Sequence, residues 1–270
     1  MAELSIMWLG QAGYLLEFDN IRVLIDPYLS TYIEDQTKGT PIEHVRLHLS
    51  PVALDKLGNI NLILITHAHP DHFDPVTVPK LVKTNPNCKI VLPRAIFNHV
   101  LKLGLRKESL VFLSGEPSRK ISYKDLEIAS IPAKHEKFDK DTQLGYPYLS
   151  YIIFWKNLSF YHSGDTLSYP GLARQLAAYH IDVGFLCING RDEQRKKFGF
   201  TGNMNYQEAG NLAKRAGMKK IIPMHYGLFS INSENVEYFA NYCSAYCPDQ
   251  EVIVLTPGGK TTFSFREEIE

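Results

Sequence analysis

Histidine and aspartate are concentrated in one short stretch of the chain, Thr66–Asp74, which reads THAHPDHFD. Imidazole nitrogen ligates zinc, iron and manganese, and an added carboxylate favours a hard or borderline divalent ion. In an extended or tightly turned segment alternate side chains point the same way, so His67 and His69 can bind one ion. Asp71 and His72 then turn towards a second ion nearby. The spacing therefore predicts a metal centre that holds one or two divalent ions.

Further candidate ligands follow apolar runs that have the length of buried strands. These runs, each with the polar residues that come after it, are Leu126–Ile131 with His135, Leu158–Tyr161 with His162 and Asp165, and Lys220–Pro223 with His225. The histidine-rich stretch itself follows the run Ile60–Thr66. Because loops at strand ends carry the site in α/β proteins, we expect these side chains to meet. The remaining histidines are interpreted as surface or structural residues: His44, His48, His99 and His180.

The rest of the chain alternates short apolar runs with segments of helical periodicity. Besides the runs above, strands are predicted at Leu4–Leu9, Tyr14–Phe18, Ile21–Ile25, Lys89–Leu92, Leu149–Trp155, Val183–Cys187 and Val252–Leu255. Helices are predicted at Pro75–Thr84, Ala95–Leu103, Gly171–Tyr179, Asn205–Ala216 and Ser233–Tyr246. Asp19 and Asn20 form a hairpin turn, Asp74 is a good N-cap, and the helix from Asn205 begins with a capping box closed by Glu208. This pattern favours a mixed α/β sandwich, sheet on sheet with helices outside.

The composition fits a globular protein of one domain, residues 1–270, with 29 basic and 29 acidic residues. Since these charges cancel, no global field collects nucleic acid, which is not an expected partner. The N-terminus lacks the features of a signal peptide and no run approaches about 18 apolar residues, so we expect no membrane span. Four cysteines are too few for a disulfide framework, which indicates a cytoplasmic protein with Cys243 and Cys247 buried in its core. The aromatic residues that could line either a pocket or the interface of a homo-oligomer are Tyr146, Tyr148, Tyr151 and Trp155.

The chain resembles the metallo-β-lactamase superfamily between Asp26 and His225. The resemblance lies in the order of motifs: H-x-H-x-D-H, then a later histidine, a later G-D and a last histidine. The resemblance implies a four-layer αββα sandwich with two metal positions. It implies these ligands: His67, His69 and His135 for the first metal, Asp71, His72 and His225 for the second, and Asp165 bridging both. Asp26 resembles the superfamily's aspartate that orients a ligand, and His162 could likewise contact a ligand rather than the metal.

A second group of residues narrows the resemblance. The motif NGRD at 189–192, with GNM at 202–204, is similar to the branch that contains L-ascorbate-6-phosphate lactonase. This likeness implies opening of a sugar-acid lactone with a divalent metal, usually manganese. Arg191 could bind a phosphate or carboxylate bidentately, and Asn189 and Asn203 complete the predicted substrate-binding set. In the alternative interpretation Asn203 only caps the next helix, and the basic run after Arg191 is a solvated loop.

Together these residues predict a metal-dependent hydrolase in which metal-activated hydroxide attacks a carbonyl, as in a phosphorylated sugar-acid lactone such as L-ascorbate 6-phosphate. Asp71 or Asp165 would orient the nucleophile and so be catalytic, and the substrate would be a small anion. The metal would be Mn²⁺ or Zn²⁺, with iron less favoured. The alternatives are a phosphodiesterase acting on a nucleotide, RNA or a phospholipid, and a non-hydrolytic metal sensor or di-iron redox protein. The redox branch normally carries Glu at the second ligand position, where this chain has His69.

Overall fold

The computed structural model describes residues 2–265, which form two seven-stranded sheets with helices around them. Strands β1 to β6 are Ala2–Gly10, Gly13–Phe18, Ile21–Ile25, Leu62–Leu64, Lys89–Pro93 and Leu110–Leu113. Strands β7 to β14 are Lys120–Tyr123, Leu126–Pro132, Leu149–Trp155, Leu158–His162, Val183–Cys187, Lys220–Met224, Glu251–Val252 and Lys260–Phe265. Helices α1 to α7 are Tyr32–Thr37, Thr77–Thr84, Phe97–Lys102, Leu172–Ala177, Glu193–Lys197, Tyr206–Ala216 and Val236–Tyr246.

The two sheets share one plan, an antiparallel half joined to a parallel half. The first sheet has the order β14-β1-β2-β3-β4-β5-β6, antiparallel from β14 to β3 and parallel from β3 to β6. The second has the order β13-β12-β11-β10-β9-β8-β7, parallel from β13 to β10 and antiparallel from β10 to β7. Each parallel step needs a crossover, and several of these crossovers contain the helices.

The main core lies between the two sheets, where large aromatic side chains meet. Phe18 of β2 packs against Trp155 of β9 and Phe160 of β10, with ring centroids 5.2 and 5.4 Å apart. Tyr14 of the same strand packs on Phe185 of β11 at 4.5 Å. Each such side chain contributes about 1.5–3 kcal/mol when it is fully buried. The alternation of β2 therefore turns every second side chain towards the second sheet.

The outer face of the first sheet is covered by helices. Val78 and Leu81 of α2 share a buried cluster with Leu24 of β3 and Ile63 of β4. On the second sheet, α6 contacts β11 and is itself packed between α4 and α7. The predicted sandwich of two sheets with helices outside is confirmed.

Local hydrogen bonds explain where two of the helices begin. The Asn205 side chain accepts from the Glu208 N–H at 2.8 Å, and the Glu208 carboxylate accepts from the Asn205 N–H at 3.0 Å, which completes the predicted capping box. Helix α2 begins at Thr77, two residues later than predicted. Asp74 Oδ1 accepts from the N–H groups of Val76 and Thr77, at 2.8 and 3.1 Å, and so folds the preceding residues into a turn. Asp74 thereby fixes the loop that leaves the histidine-rich stretch.

The structure departs from the predicted elements at the edges of the sheets. The strand predicted at Val252–Leu255 is wrong beyond its first residue, because β13 pairs with β12 at two positions only. Strands β6, β7 and β14 and helix α1 were not predicted. The basic run expected to be a loop forms α5, since Asp192 accepts from the Arg195 N–H at 2.8 Å and caps that helix. Edge strands carry a weaker apolar alternation than buried ones, as the exposed residues of β7 illustrate.

All four cysteines are buried free thiols, so the prediction that Cys243 and Cys247 belong to the core is confirmed. Tyr151 and Trp155 are also core residues, with 0% and 1% exposure, and cannot line a pocket mouth or a subunit interface. No helix among the described residues is long and apolar enough to cross a membrane.

Candidate metal centre

The predicted ligands come together at one edge of the sandwich, on loops that leave strand ends. Strand β4 of the first sheet leads into the histidine-rich stretch, while β8, β10 and β12 of the second lead to His135, Asp165 and His225. At this edge the Leu149 N–H donates to the Thr66 carbonyl at 3.0 Å, which ties the start of β9 to the loop after β4. Both sheets therefore contribute side chains to the same place.

Four of these residues form a first group: His67, His69, His135 and Asp165. One donor atom from each lies within 4.8 Å of the donor atoms of the other three. His67, His135 and Asp165 are buried, whereas His69 is partly exposed. Three imidazoles and a carboxylate at these separations could hold one divalent ion.

Asp71, His72 and His225 form a second group, whose donor atoms also lie within 4.8 Å of one another. Asp165 touches both groups. Its Oδ1 lies 3.2 Å from His72 Nε2, and its Oδ2 lies 3.2 Å from His225 Nε2 and 3.7 Å from His135 Nε2. The carboxylate is therefore in the position that a bridge between two ions would require.

Several buried atoms at the centre of this arrangement lack a protein partner. Among the described residues, His67 Nε2, His72 Nε2 and Asp165 Oδ1 have no hydrogen bond. Buried polar atoms are almost always paired, because an unpaired one costs about 1–3 kcal/mol. Unpaired lone pairs that converge from two histidines and a carboxylate fit bound divalent metal.

Asp26 orients one histidine of each group. Its carboxylate lies 2.7 Å from His72 Nδ1 and accepts from the Thr66 hydroxyl at 2.6 Å and the Thr66 N–H at 2.8 Å. The Thr66 hydroxyl is in turn 3.0 Å from His67 Nδ1. With both Nδ1 atoms occupied, the Nε2 atoms of His67 and His72 face the centre. Asp26 holds this position with a φ of +43°, a region that aspartate tolerates better than most residues.

His162 and His135 are held by backbone carbonyls. His162 Nε2 lies 2.9 Å from the Ala12 carbonyl, and its Nδ1 accepts from the Gly164 N–H at 3.2 Å. His162 thus fixes the residue next to Asp165 and does not join either ligand group. His135 Nδ1 lies 3.2 Å from the Gly202 carbonyl, which points Nε2 towards Asp165.

Gln11 is a residue of this site that the sequence analysis missed. Its amide nitrogen donates to Asp71 Oδ2 at 2.8 Å and lies 3.3 Å from both ring nitrogens of His225. Its backbone carbonyl accepts from the His225 N–H at 2.9 Å, and its own φ is +51°. The side chain is fully buried, yet its Oε1 has no partner among the described residues. A lone glutamine carries no spacing signal; Gly10 and Gly13, on either side of it, are the one sequence feature that indicates a special turn.

The electrostatics favour positive charge between the two carboxylates. Burial alone would raise the pKa of Asp165, but His225 and His72 lower it well below the ordinary range. At Asp71, too, the same two histidines outweigh burial and lower the pKa. Conversely, Asp165 and Asp71 outweigh burial and raise the pKa of His225 to about 9. At His135 burial prevails over the attraction of Asp165 and lowers the pKa to about 4, so this imidazole keeps its neutral, ligating form at neutral pH.

The predicted substrate-binding residues belong to neither of the two groups. Arg191 does not face the metal ligands: its guanidinium makes two hydrogen bonds to the Glu208 carboxylate, at 2.6 and 2.8 Å, and a third to the Asn203 carbonyl at 2.9 Å. Asn203 donates to the Asn189 side chain at 3.0 Å, and Asn189 donates to Asn232 at 3.0 Å. These buried amides support one wall of the site. The cap of α6 is Asn205 and not Asn203.

A cavity of about 440 Å³ opens over the ligands and is shared by both groups. His44, which was interpreted as a surface or structural residue, lines it and packs edge-on against Phe200 and Phe229 at 5.4 and 4.9 Å. On the ligand side, the Tyr148 ring lies 5.2 Å from those of His67 and His135. Of the aromatic residues considered for a pocket, Tyr148 is therefore the one that contacts the ligands.

Known proteins resemble this chain over nearly its whole length. A metal-dependent hydrolase of Hyperthermus butylicus is 28% identical over 260 residues, covering 94% of this chain and 96% of the relative. A metal-dependent hydrolase of Methanopyrus kandleri is 29% identical over 263 residues, covering 94% of this chain and 98% of the relative. The solved structure of Igni18, a metallo hydrolase of Ignicoccus hospitalis, superposes with a TM-score of 0.73 at 22% identity, covering 98% of this chain and 100% of that one. At that identity the structural likeness supports the fold alone.

The family itself is settled by a family model. The model described as "Beta-lactamase superfamily domain" matches residues 5–225, which contain every residue of the two groups. The similarity to the narrower lactonase branch stays a prediction. The chain belongs to the beta-lactamase superfamily, as its resemblance to the metallo-β-lactamases predicts.

Proposed function

We propose that this protein is a metal-dependent hydrolase that binds two divalent ions and opens a lactone or a related carboxylic ester. The observation that carries the proposal is the contact of Asp165 with residues of both groups, beside the buried Nε2 atoms of His67 and His72, which have no hydrogen-bond partner among the described residues. The names of the relatives in Hyperthermus and Methanopyrus support metal-dependent hydrolysis.

The two ligand groups correspond to two ions in this proposal. His67, His69 and His135 would hold the first ion, Asp71, His72 and His225 would hold the second, and Asp165 would contribute to both. Such ions, when bound, lower the pKa of water to near neutrality and polarise a carbonyl oxygen. Mn²⁺ and Zn²⁺ both suit this set of imidazoles and carboxylates.

The protein groups have separate tasks. Asp71 and Asp165 are ionised, and each can accept a hydrogen bond from the attacking water and so orient it. Asp26 keeps His67 and His72 in the tautomer that ligates through Nε2. The cavity above the ligands receives the rest of the substrate.

The resemblance to the lactonase branch favours a phosphorylated sugar-acid lactone held by Arg191. That residue is paired with Glu208, so a phosphate would have to displace a bidentate carboxylate. We therefore propose a lactone or ester carbonyl as the reacting group without a phosphate contact from Arg191. We further propose a cytoplasmic location, because all four buried cysteines are free thiols, as in reducing compartments.

The proposal is tested with metal-stripped protein reloaded separately with Mn²⁺ and Zn²⁺. The substrates are γ-butyrolactone derivatives and bis(p-nitrophenyl) phosphate, which represents the phosphodiesterase alternative. We expect metal-dependent lactone opening that falls at least about a hundredfold in His67→Asn and Asp165→Asn. The matched control is His180→Asn, which changes an exposed histidine at the opposite end of β10, where the His180 carbonyl accepts from Ser159. Cleavage of the phosphodiester without lactone opening would replace the lactonase proposal by the phosphodiesterase one.

A further inference from the structure

The walls of the cavity over the metal ligands differ from its floor in charge. The floor contains Asp71 and Asp165 with the histidines. None of the described residues that line this cavity is a lysine or an arginine. Apart from the ligand histidines, the only titratable nitrogen base on the walls is His44, whose Nδ1 lies 2.8 Å from the Ile42 carbonyl. Apart from the histidines of the floor, a positive charge that faces a substrate here would come from ions held by the two groups.

One wall is apolar and well supported. Tyr32, Ile33, Phe200 and Phe229 line it, and Phe229 belongs to a small buried cluster with Tyr28. A substrate group placed against this wall contacts aromatic rings and an aliphatic side chain. An apolar group there would contribute favourable binding free energy.

The arginine that packs behind this wall is already paired with a carboxylate. Behind it, Arg46 pairs with Glu34, donates to the Ser30 carbonyl at 2.6 Å and stacks over the Tyr28 ring at 5.2 Å. The Glu34 carboxylate also accepts from the Tyr28 hydroxyl. Arg46 therefore holds the wall in place, with its Nε engaged by Glu34 and its Nη2 by the Ser30 carbonyl.

The neighbouring cavity offers no surplus of positive charge. It shares Phe200, Thr201 and Asn232 with the cavity over the ligands. Its three cationic and three acidic lining residues are Arg191, Arg195, Lys196, Glu136, Asp192 and Glu193. Both arginines are paired, Arg191 with Glu208 and Arg195 with Asp192.

From this distribution we infer the chemical class of the substrate: its reacting group carries an uncharged, apolar arm, aryl or branched alkyl, that lies against Tyr32, Ile33, Phe200 and Phe229. The substrate has no anionic group beyond the reacting centre. This inference rests on the proposed function, because it places the reacting group at the ions. A carboxylate on the arm would be buried without a cation, and such burial is unfavourable. The expectation of a small anionic substrate is thereby replaced.

The inference is tested by binding, separately from turnover. Isothermal titration calorimetry on the metal-loaded protein uses methylphosphonate, phenylphosphonate and 4-carboxyphenylphosphonate, in which the phosphonate serves as the metal-binding end. We expect phenylphosphonate to bind about tenfold more tightly than methylphosphonate, and the added carboxylate to remove that gain. Equal or tighter binding of the carboxylated compound would overturn the inference.

Two substitutions show whether the wall causes the preference. Phe200→Ala should reduce the advantage of phenylphosphonate over methylphosphonate. Gln36→Arg, which adds a cation to the cavity lining, should restore binding of 4-carboxyphenylphosphonate, whereas the uncharged control Gln36→Met should not. An unchanged order in Phe200→Ala, or equal effects of the two Gln36 variants, would contradict the inference.

The same compounds separate this inference from the proposed function. If phenylphosphonate binds as expected but no lactone is opened, the proposed reaction is contradicted and the inferred substrate class is supported. If lactones are opened but 4-carboxyphenyl-γ-butyrolactone is turned over as efficiently as its phenyl analogue, the reaction stands and the substrate class is wrong. If none of the phosphonates binds to protein with both ions present, both proposals fail.

Discussion

Asp26 links the two ligand groups through a short chain of hydrogen bonds, from His67 to the Thr66 hydroxyl, to the Asp26 carboxylate and to His72. We predict that Asp26→Asn weakens the binding of both ions about 10–100-fold, because asparagine has one acceptor oxygen and cannot accept both the Thr66 N–H at the Oδ1 position and the Thr66 hydroxyl and His72 at the Oδ2 position. Asparagine tolerates the positive φ of this position, so the backbone should be retained. Competition with a chelator measures the two affinities, and unchanged affinities would contradict this role.

Gln11 contacts the second group only. We predict that Gln11→Asn withdraws the amide from Asp71 and His225. The affinity for the second ion should fall about tenfold, and the affinity for the first should stay nearly unchanged. Metal content per chain, measured during stepwise chelation, should then show one ion lost early. The d–d spectrum of the Co²⁺-substituted protein gives a second readout, since only one site should change. If the affinities for both ions fall equally, Gln11 acts on the fold and not on the second group.

At this scale the sequence predicts well which residues come together at the candidate site. His67 to His72 are close in sequence, so their spacing indicates them directly. His135, Asp165 and His225 are indicated because each follows an apolar run. Gln11 and the partner of Arg191 were not predictable, because both depend on contacts between residues far apart in the chain.

The loops between strands and ligands depend on glycine where the backbone is crowded. Gly164 has a φ of +54°, and a Cβ there would lie 2.8 Å from the Leu149 carbonyl oxygen and 3.0 Å from Thr66 Cβ. We predict that Gly164→Ala lowers the free energy of unfolding by roughly 2 kcal/mol or more and reduces metal binding, because Asp165 must move.

Gly171 provides the matched control for this substitution. Its φ is +91°, yet a Cβ there would meet nothing within 4 Å. Gly171→Ala should therefore lower the free energy of unfolding by only about 1 kcal/mol, the cost of placing alanine at a positive φ, and metal content should stay normal. Denaturant unfolding and metal analysis of both variants make the comparison. Similar metal content in the two would contradict the proposed role of the Gly164 turn.

Buried strands were the easiest elements to predict and edge elements the hardest. Strand β11, buried throughout, coincides with its predicted range Val183–Cys187. Strand β7 alternates exposed residues with half-buried ones, and β13 pairs at only two positions, so neither has a clear pattern of its own. Helix α5 is five residues long and depends on the Asp192 cap.

At the scale of the whole molecule, the ligands join two sheets that otherwise meet through their core. The histidine-rich stretch follows β4 of the first sheet, and His135, Asp165 and His225 follow strands of the second. We predict that metal stabilises the fold by about 2.7 kcal/mol for each site at a free metal concentration one hundred times its Kd. Removal of the ions with a chelator should lower the Tm, and reloading should restore it. The same Tm with and without metal would contradict ligation across the sheets.

The sandwich itself could be predicted because strands and helices alternate along the sequence and the resemblance covers most of the chain. The walls of the cavity could not. Tyr32 lies on the unpredicted helix α1, and His44 and Phe229 belong to loops whose positions depend on tertiary contacts such as the Arg46–Glu34 ion pair. The substrate class is therefore proposed from the structure, because Arg191, on which the expected anionic substrate depended, is paired with Glu208.

The central claim is that two ions lie between the two groups of ligands and share Asp165. The most direct test is an anomalous difference map from crystals of the protein loaded with Mn²⁺ or Zn²⁺. We predict two peaks, one bounded by His67, His69 and His135 and the other by Asp71, His72 and His225, with an Asp165 oxygen within ligating distance of each. A single peak that does not contact Asp165, or no peak in this cluster, would contradict the claim.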